Sequence, residues 1–290
     1  MTDSSDQSRS RHHLSPPEIR SRKGGEKLTM LSLYDHPFAR IAEKAGIDII
    51  LVGDSLGMVV QGHESTVPVR LDDVIYHAKA VRRGAPATHV VADMPFLTYH
   101  IDTPRTVENA GRLMQEGGAD SVKLEGGQEI VDQVAALVLA GIPVMGHIGL
   151  TPQSAGALGG FKVQGRDLAT AQKILLDAAA IETAGAFAIV IEAVPAELSR
   201  LVTAKVRVPT IGIGAGPFCD GQVLVGHDVL GLEDRVSARF ARRFAHLGEA
   251  TEHAFAAYAA EVRAGSFPGP ENSYGMPDEV LARLRADANA

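Results

Sequence analysis

The sequence predicts an α/β fold, a (β/α)8 TIM barrel, and three observations carry that prediction. Short apolar runs rich in β-branched residues recur along the chain, without the alternating polarity of a sheet that faces water on one side. Each run is followed by Gly, Pro or Asp and then by an Ala-rich stretch of helical periodicity, so strands alternate with helices and the sheet is parallel. The polar residues that end these runs are mostly carboxylates, as expected where a barrel carries its chemistry. A chain of 290 residues is long enough for one such barrel as a single unit.

The first unit is expected to pair a strand over Thr29–Leu33 with a helix over Phe38–Lys44. Ile47–Val52 is followed by Leu71–Arg83, His89–Ala92 by Thr103–Glu116, and Ser121–Leu124 by Gln128–Ala140. Pro143–His147 and Leu168–Ala184 form the fifth unit, Ala188–Ile191 and Ala196–Ala204 the sixth. Strands at Thr210–Ile213 and Gln222–Val225 then precede a long helical pattern over Ala238–Val262. A doubly wound open sheet is the competing architecture, and it requires a phosphate-binding glycine loop after its first strand. Val52-Gly53-Asp54-Ser55-Leu56-Gly57 does not match G-x-G-x-x-G, and Gly212-Ile213-Gly214-Ala215-Gly216 before Pro217 reads as a tight turn.

Composition narrows the function classes. With 45% hydrophobic and 22% charged residues the chain is an ordinary globular protein, not a disordered or fibrous one. The longest apolar stretch, Val134 to Gly146, is 13 residues and contains Gly141 and Pro143, too short and broken for a bilayer span. A net charge of −7 argues against nucleic acid and leaves small molecules as the expected partners. The single cysteine, Cys219, excludes an internal disulfide and a Cys-rich zinc site and suits a reducing cytoplasm. Residues 1–22, polar and with a Pro pair, are expected to be a disordered tail in which His12 and His13 are solvated. The barrel is expected over 23–275. Residues 276–290 read as a C-terminal extension with a short amphipathic helix beginning at Pro277.

Five successive strands aim polar groups at one mouth: Asp54 and Ser55, Asp93, Glu125, His147 and Glu192. A carboxylate at a strand end often only caps the next helix, but that reading does not explain five polar strand ends, four of them carboxylates, together. Alternation puts Lys123 and Glu125 on one face with Val122 and Leu124 on the other, and packing alone does not call for an inward lysine beside an inward glutamate. Asp54, Asp93 and Glu125 offer hard oxygen donors without zinc-spaced His or Cys, so the implied cation is Mg²⁺. Mg²⁺ with open positions binds an α-keto acid through its keto and carboxylate oxygens and acidifies the adjacent carbon. Glu192, between Ile191 and Ala193-Val194-Pro195, is placed to serve as general base. His147 either orients substrate or is a satisfied core histidine.

These residues sit in longer segments: Val52-Gly53-Asp54-Ser55-Leu56-Gly57-Met58, Gln61-Gly62-His63, Tyr76-His77, Val81-Arg82-Arg83-Gly84-Ala85-Pro86, Ala92-Asp93-Met94-Pro95-Phe96, Val122-Lys123-Leu124-Glu125-Gly126-Gly127, Gly146-His147-Ile148-Gly149-Leu150-Thr151-Pro152-Gln153, Lys162-Val163-Gln164-Gly165-Arg166 and Gly212-Ile213-Gly214-Ala215-Gly216. Running in order from Leu28 to Tyr274, they resemble the ketopantoate hydroxymethyltransferase family. The resemblance implies a (β/α)8 barrel of the phosphoenolpyruvate/pyruvate type that binds Mg²⁺. It further implies transfer of a hydroxymethyl group from 5,10-methylenetetrahydrofolate to 3-methyl-2-oxobutanoate (α-ketoisovalerate), giving ketopantoate in pantothenate biosynthesis. Carried over by position, Asp54, Asp93 and Glu125 match the metal positions, Ser55 and Lys123 the keto-acid contacts and Glu192 the base, with His147 near the keto acid. The family often has a second aromatic where this chain has His36, which is assigned no role. Family members form large homo-oligomers, often decamers.

Two other readings compete. A Mg²⁺-dependent aldolase or lyase acting on another keto acid keeps the barrel and metal but not the folate. A catalytically dead binding scaffold has no need of the metal carboxylates, Lys123 and Glu192 together.

Overall fold

The computed structural model describes residues 13–157, 159–233 and 239–288. Eight parallel strands, β1 (Leu28–Ser32), β2 (Ile49–Val52), β3 (His89–Asp93), β4 (Ser121–Glu125), β5 (Val144–Gly149), β6 (Ala188–Glu192), β7 (Thr210–Ile213) and β8 (Gly221–Val225), close in sequence order, with β8 pairing back onto β1. The observed runs start or stop within two residues of the expected ones, because an apolar run buried on both faces marks a strand well and its ends poorly.

After α1 (Pro16–Ser21) come α2 (His36–Ala45), α3 (Leu56–Val59), α4 (Leu71–Gly84), α5 (Thr103–Gln115), α6 (Val131–Leu139), α7 (Leu168–Thr183) and α8 (Ala196–Lys205), followed by α9 (Gly226–Leu230), α10 (Leu247–Ala264) and α11 (Asp278–Asp287). Several begin on side-chain caps: Asp35 accepts from the Phe38 amide, Asp102 from Arg105 and Asp167 from Thr170. The strands' outward residues, such as Val122, Leu124, Ile189 and Ile191, pack in a layer against the helices. The inward ones, among them Ile49, Leu51, Val91, Met145, Val190, Ile211 and Val223, fill the barrel.

Two expectations are corrected. The tail expected through residue 22 is folded from Pro16 to Ser21, while residues 1–12 lie outside the described residues. Ser15 receives the Glu18 carboxylate on its own amide at 2.8 Å, Pro16 and Pro17 suit the first turn, and Ile19 is buried among the inward residues as a plug. A single apolar residue in a polar segment carries no periodic signal, so the helix was not legible. His13, expected in solvent, instead meets Asp120 at 3.0 Å.

The helix expected from Ala238 begins at Leu247. Residues 234–238 lie outside the described ones, and Phe244 donates its amide to Val229 at 2.8 Å, which turns the chain back before the helix starts. The helix expected from Pro277 runs Asp278–Asp287 with Pro277 at its cap. No residue of α10 or α11 is buried.

Candidate active site

All seven side chains singled out in the sequence line one cavity at the C-terminal mouth, a space of about 1220 Å³ counting its open side. Strand register explains why. Asp93 is the partner of Lys123 across β3 and β4, Glu125 of His147 across β4 and β5, and Gly149 of Glu192 across β5 and β6. Gly149 has φ +92°, and a Cβ there would stand 2.3 Å from the Glu192 carbonyl oxygen, so only glycine allows this approach. Ala193, next to Glu192, holds φ +48°, clamped by its amide to Ile213 and its carbonyl to Gln164.

The charged centre is buried. Lys123 Nζ lies 2.8 Å from Asp93 Oδ1, and the other Asp93 oxygen accepts the Asp54 amide at 2.9 Å. Lys123 also reaches His147 Nδ1 at 3.1 Å. His147 Nδ1 is 3.4 Å from Glu125, and its Nε2 is 3.1 Å from Glu192 Oε2. Ser55 is tied to the buried Tyr34 hydroxyl at 2.7 Å.

Burial pushes the Asp54 carboxyl well above its ordinary value, and the neighbouring Asp93 and Glu125 charges add to the push. Burial and Lys123 push His147 down, but its contacts with Glu125 and Glu192 prevail and lift it to about 9. Burial alone would lower Lys123; Asp93, Glu125 and Asp54 more than offset it and keep the ammonium charged. Three buried carboxylates converge with Lys123 and His147 as the cations that answer them. Excess oxygen charge of this kind fits a hard dication better than a further protein contact.

Gln153, which the sequence marked only as part of a motif, is the residue that reasoning from residue types missed. It is 5% exposed, follows β5 in a short 3₁₀ turn, and touches both Asp54 and Glu125. Tyr99, buried at its back, was missed as well. Phe161 and Phe240 also line the cavity, brought together from separate loops.

A second cluster, His13, His89 and Asp120, lies at the opposite end of the barrel with ligand atoms within 4.8 Å of one another. There the Arg82 guanidinium already pairs with Asp120, and both His89 nitrogens have partners, the Leu14 carbonyl and the Ser121 hydroxyl. That cluster is a clasp on the N-terminal segment rather than a free set of ligands.

The comparisons with known proteins agree with this geometry. A family model described as ketopantoate hydroxymethyltransferase matches residues 14–270. Curated relatives named 3-methyl-2-oxobutanoate hydroxymethyltransferase include one from Moorella thermoacetica, 58% identical over 265 residues, covering 91% of this chain and 98% of the relative. Another, from Heliobacterium modesticaldum, is 57% identical over 259 residues, 89% of this chain and 94% of the relative. In fold the chain is similar to 2,3-dimethylmalate lyase, a PEP mutase/isocitrate lyase superfamily member, with TM-score 0.55, 17% identity and coverage of 94% and 96% of the two chains. It is likewise similar to phosphonopyruvate hydrolase in complex with oxalate and Mg²⁺, with TM-score 0.57, 16% identity and coverage of 95% and 96%. The family match begins at residue 14, earlier than the sequence resemblance, and so takes in the α1 plug. Because it spans all eight strands and every side chain of the charged cavity, the chain belongs to the ketopantoate hydroxymethyltransferase family.

Proposed function

We propose that the protein is a 3-methyl-2-oxobutanoate hydroxymethyltransferase that makes ketopantoate for pantothenate and coenzyme A biosynthesis. The observation that carries this reading is the convergence of Asp54, Asp93 and Glu125 with Lys123, His147 and Glu192 in one buried mouth, within a chain that matches the family throughout. Asp54, Asp93 and Glu125 would hold Mg²⁺, which polarises the ketone of the bound acid and acidifies the carbon beside it. The neighbour crystallised with oxalate and Mg²⁺ has the same fold, which is consistent with this choice of cation.

The chain's own residues do the rest. Lys123 and the Ser55 hydroxyl bind the keto acid, and Asp54 and Asp93 border the same space. Glu192 takes the proton from the carbon next to the ketone, with His147 Nε2 3.1 Å from its carboxylate as the neighbouring cation. That carbon then forms a bond to the methylene carbon of 5,10-methylenetetrahydrofolate. The methylene–nitrogen bonds break, water supplies the hydroxyl oxygen, and tetrahydrofolate leaves. The cavity is larger than a five-carbon acid needs, and beyond Glu192 it is walled by Ile213, Val223, Val225 and Phe240. Space of that shape and polarity suits a folate ring.

The partners are small molecules. The exposed Phe255, Tyr258 and Val262 of α10 support a further copy of this chain as its cover, and family resemblance favours a homodecamer as the assembly. The small-molecule chemistry and single buried cysteine fit a cytoplasmic enzyme.

A coupled assay for ketopantoate, run with 3-methyl-2-oxobutanoate in the presence and absence of methylenetetrahydrofolate, tests the reading. Product is expected only with folate, is abolished by EDTA and returns with Mg²⁺. Cleavage of a keto acid without folate would favour a lyase instead. Asp54→Asn and Asp93→Asn each remove one charged ligand at constant size and are expected to weaken metal binding while the fold survives.

A further inference from the structure

Gln153 has four polar contacts, and all of them serve the carboxylate centre. Its Nε2 donates to Asp54 Oδ2 at 2.8 Å and to the Met94 carbonyl at 3.0 Å. Its Oε1 accepts from the Tyr99 hydroxyl at 2.8 Å. Its backbone amide donates to Glu125 Oε2 at 3.0 Å. The Met94 carbonyl can only accept, so the amide nitrogen must face it and Asp54, and Tyr99 then meets the amide oxygen. The direction of the side chain is fixed from both ends.

Two consequences follow from the chemistry of an amide. Gln153 restrains Asp54 through its side-chain amide and Glu125 through its backbone amide, from a single turn, and so sets the separation of two carboxylates that repel each other. It does so without a charge. A lysine or arginine in its place would restrain the carboxylates equally well but would compete with a cation for them.

We infer that Gln153 is a positioning residue that holds Asp54 and Glu125 apart at the spacing a divalent cation requires, with Tyr99 locking its amide. This rests on the reading of Asp54 and Glu125 as metal ligands, not on the folate reaction. Outer partners of ligating side chains commonly change metal affinity by about 10–100-fold.

The test is Mn²⁺ binding to the purified full-length protein, followed by electron paramagnetic resonance without keto acid or folate. Gln153→Met keeps the length and volume and removes the side-chain amide with its hold on Asp54, while the backbone bond to Glu125 stays. Its dissociation constant for Mn²⁺ is expected to rise about 10–100-fold. Tyr99→Phe leaves the amide held at its nitrogen end alone and removes the hydroxyl's contacts with the Glu125 backbone, and a smaller rise is expected. A merely structural glutamine would lower the melting temperature of the metal-free protein and leave Mn²⁺ affinity alone; affinity within about twofold of wild type, whatever the melting temperature, overturns the proposal. Should Gln153→Met not fold, unchanged affinity in Tyr99→Phe overturns it as well, as does failure of the wild-type chain to bind Mn²⁺. Failure of the wild type to form ketopantoate while Gln153→Met still loses Mn²⁺ would refute the proposed reaction and leave this inference standing.

Discussion

Glu192 ends β6 partly open to the cavity, while the carboxylates across the mouth are almost fully buried. That difference fits the roles proposed above, with the buried groups holding a charge in place and the more accessible Glu192 meeting the substrate. Glu192→Gln preserves volume but cannot accept a proton. Keto-acid binding is therefore expected to persist, while solvent deuterium exchange at the carbon beside the ketone, measured without folate, slows by about 10²–10⁴. Exchange at the wild-type rate would move the base elsewhere in the cavity. The carboxylates, Lys123, His147 and Glu192 were legible from sequence because each ends or interrupts an apolar strand. Gln153 and Tyr99 were not, since a glutamine in a turn has no distinctive chemistry until the fold brings Asp54, Met94 and Glu125 to it from three other segments.

Among the elements, α1 departs most from its sequence. Its polar residues conceal that Ile19 fills the closed end of the barrel, beneath Leu28, Met30 and Ile49. Ile19→Ala removes a fully buried side chain and is expected to cost about 2–5 kcal/mol, read as a lowered midpoint in urea. Deleting residues 1–22, and with them this plug, should lower the melting temperature and the yield of active enzyme. The eight strands and the helices packed on them were legible because their apolar runs and caps agree with where they end up. The short α3 and α9 were not, being four and five residues long, too short for a period to show. The start of α10 was misplaced for another reason. Alanine-rich sequence on both sides of Phe240 looks helical, yet Phe240 packs on Gly214 at φ +62° and ties the segment to β7.

For the molecule as a whole, the clasp at the closed end makes stability depend on pH. His89 is fully buried, and desolvation lowers it to about 4 against Asp120, which pulls upward; the Leu14 carbonyl, His13 and Arg82 also face the ring. The unfolded chain, with an ordinary histidine near 6.5, takes up a proton first as the pH falls. The contribution of His89 to folding stability is therefore complete above about pH 6.5 and declines toward pH 4, by up to about 3 kcal/mol. Denaturation in urea across that range is expected to show the slope, and His89→Asn should flatten it. An unchanged slope in the variant would assign the effect to other groups.

The same closed end bears on how the protein is made. Lys23 and Gly24 bond to Asp220, and Leu28 to the Asp220 carbonyl, across a separation of about 190 residues. Synthesis therefore delivers the seal before the strand it seals against. By the time β5 leaves the ribosome, Asp54, Asp93, Glu125 and Lys123 are all present, while Glu192 and the closing strands are still to come.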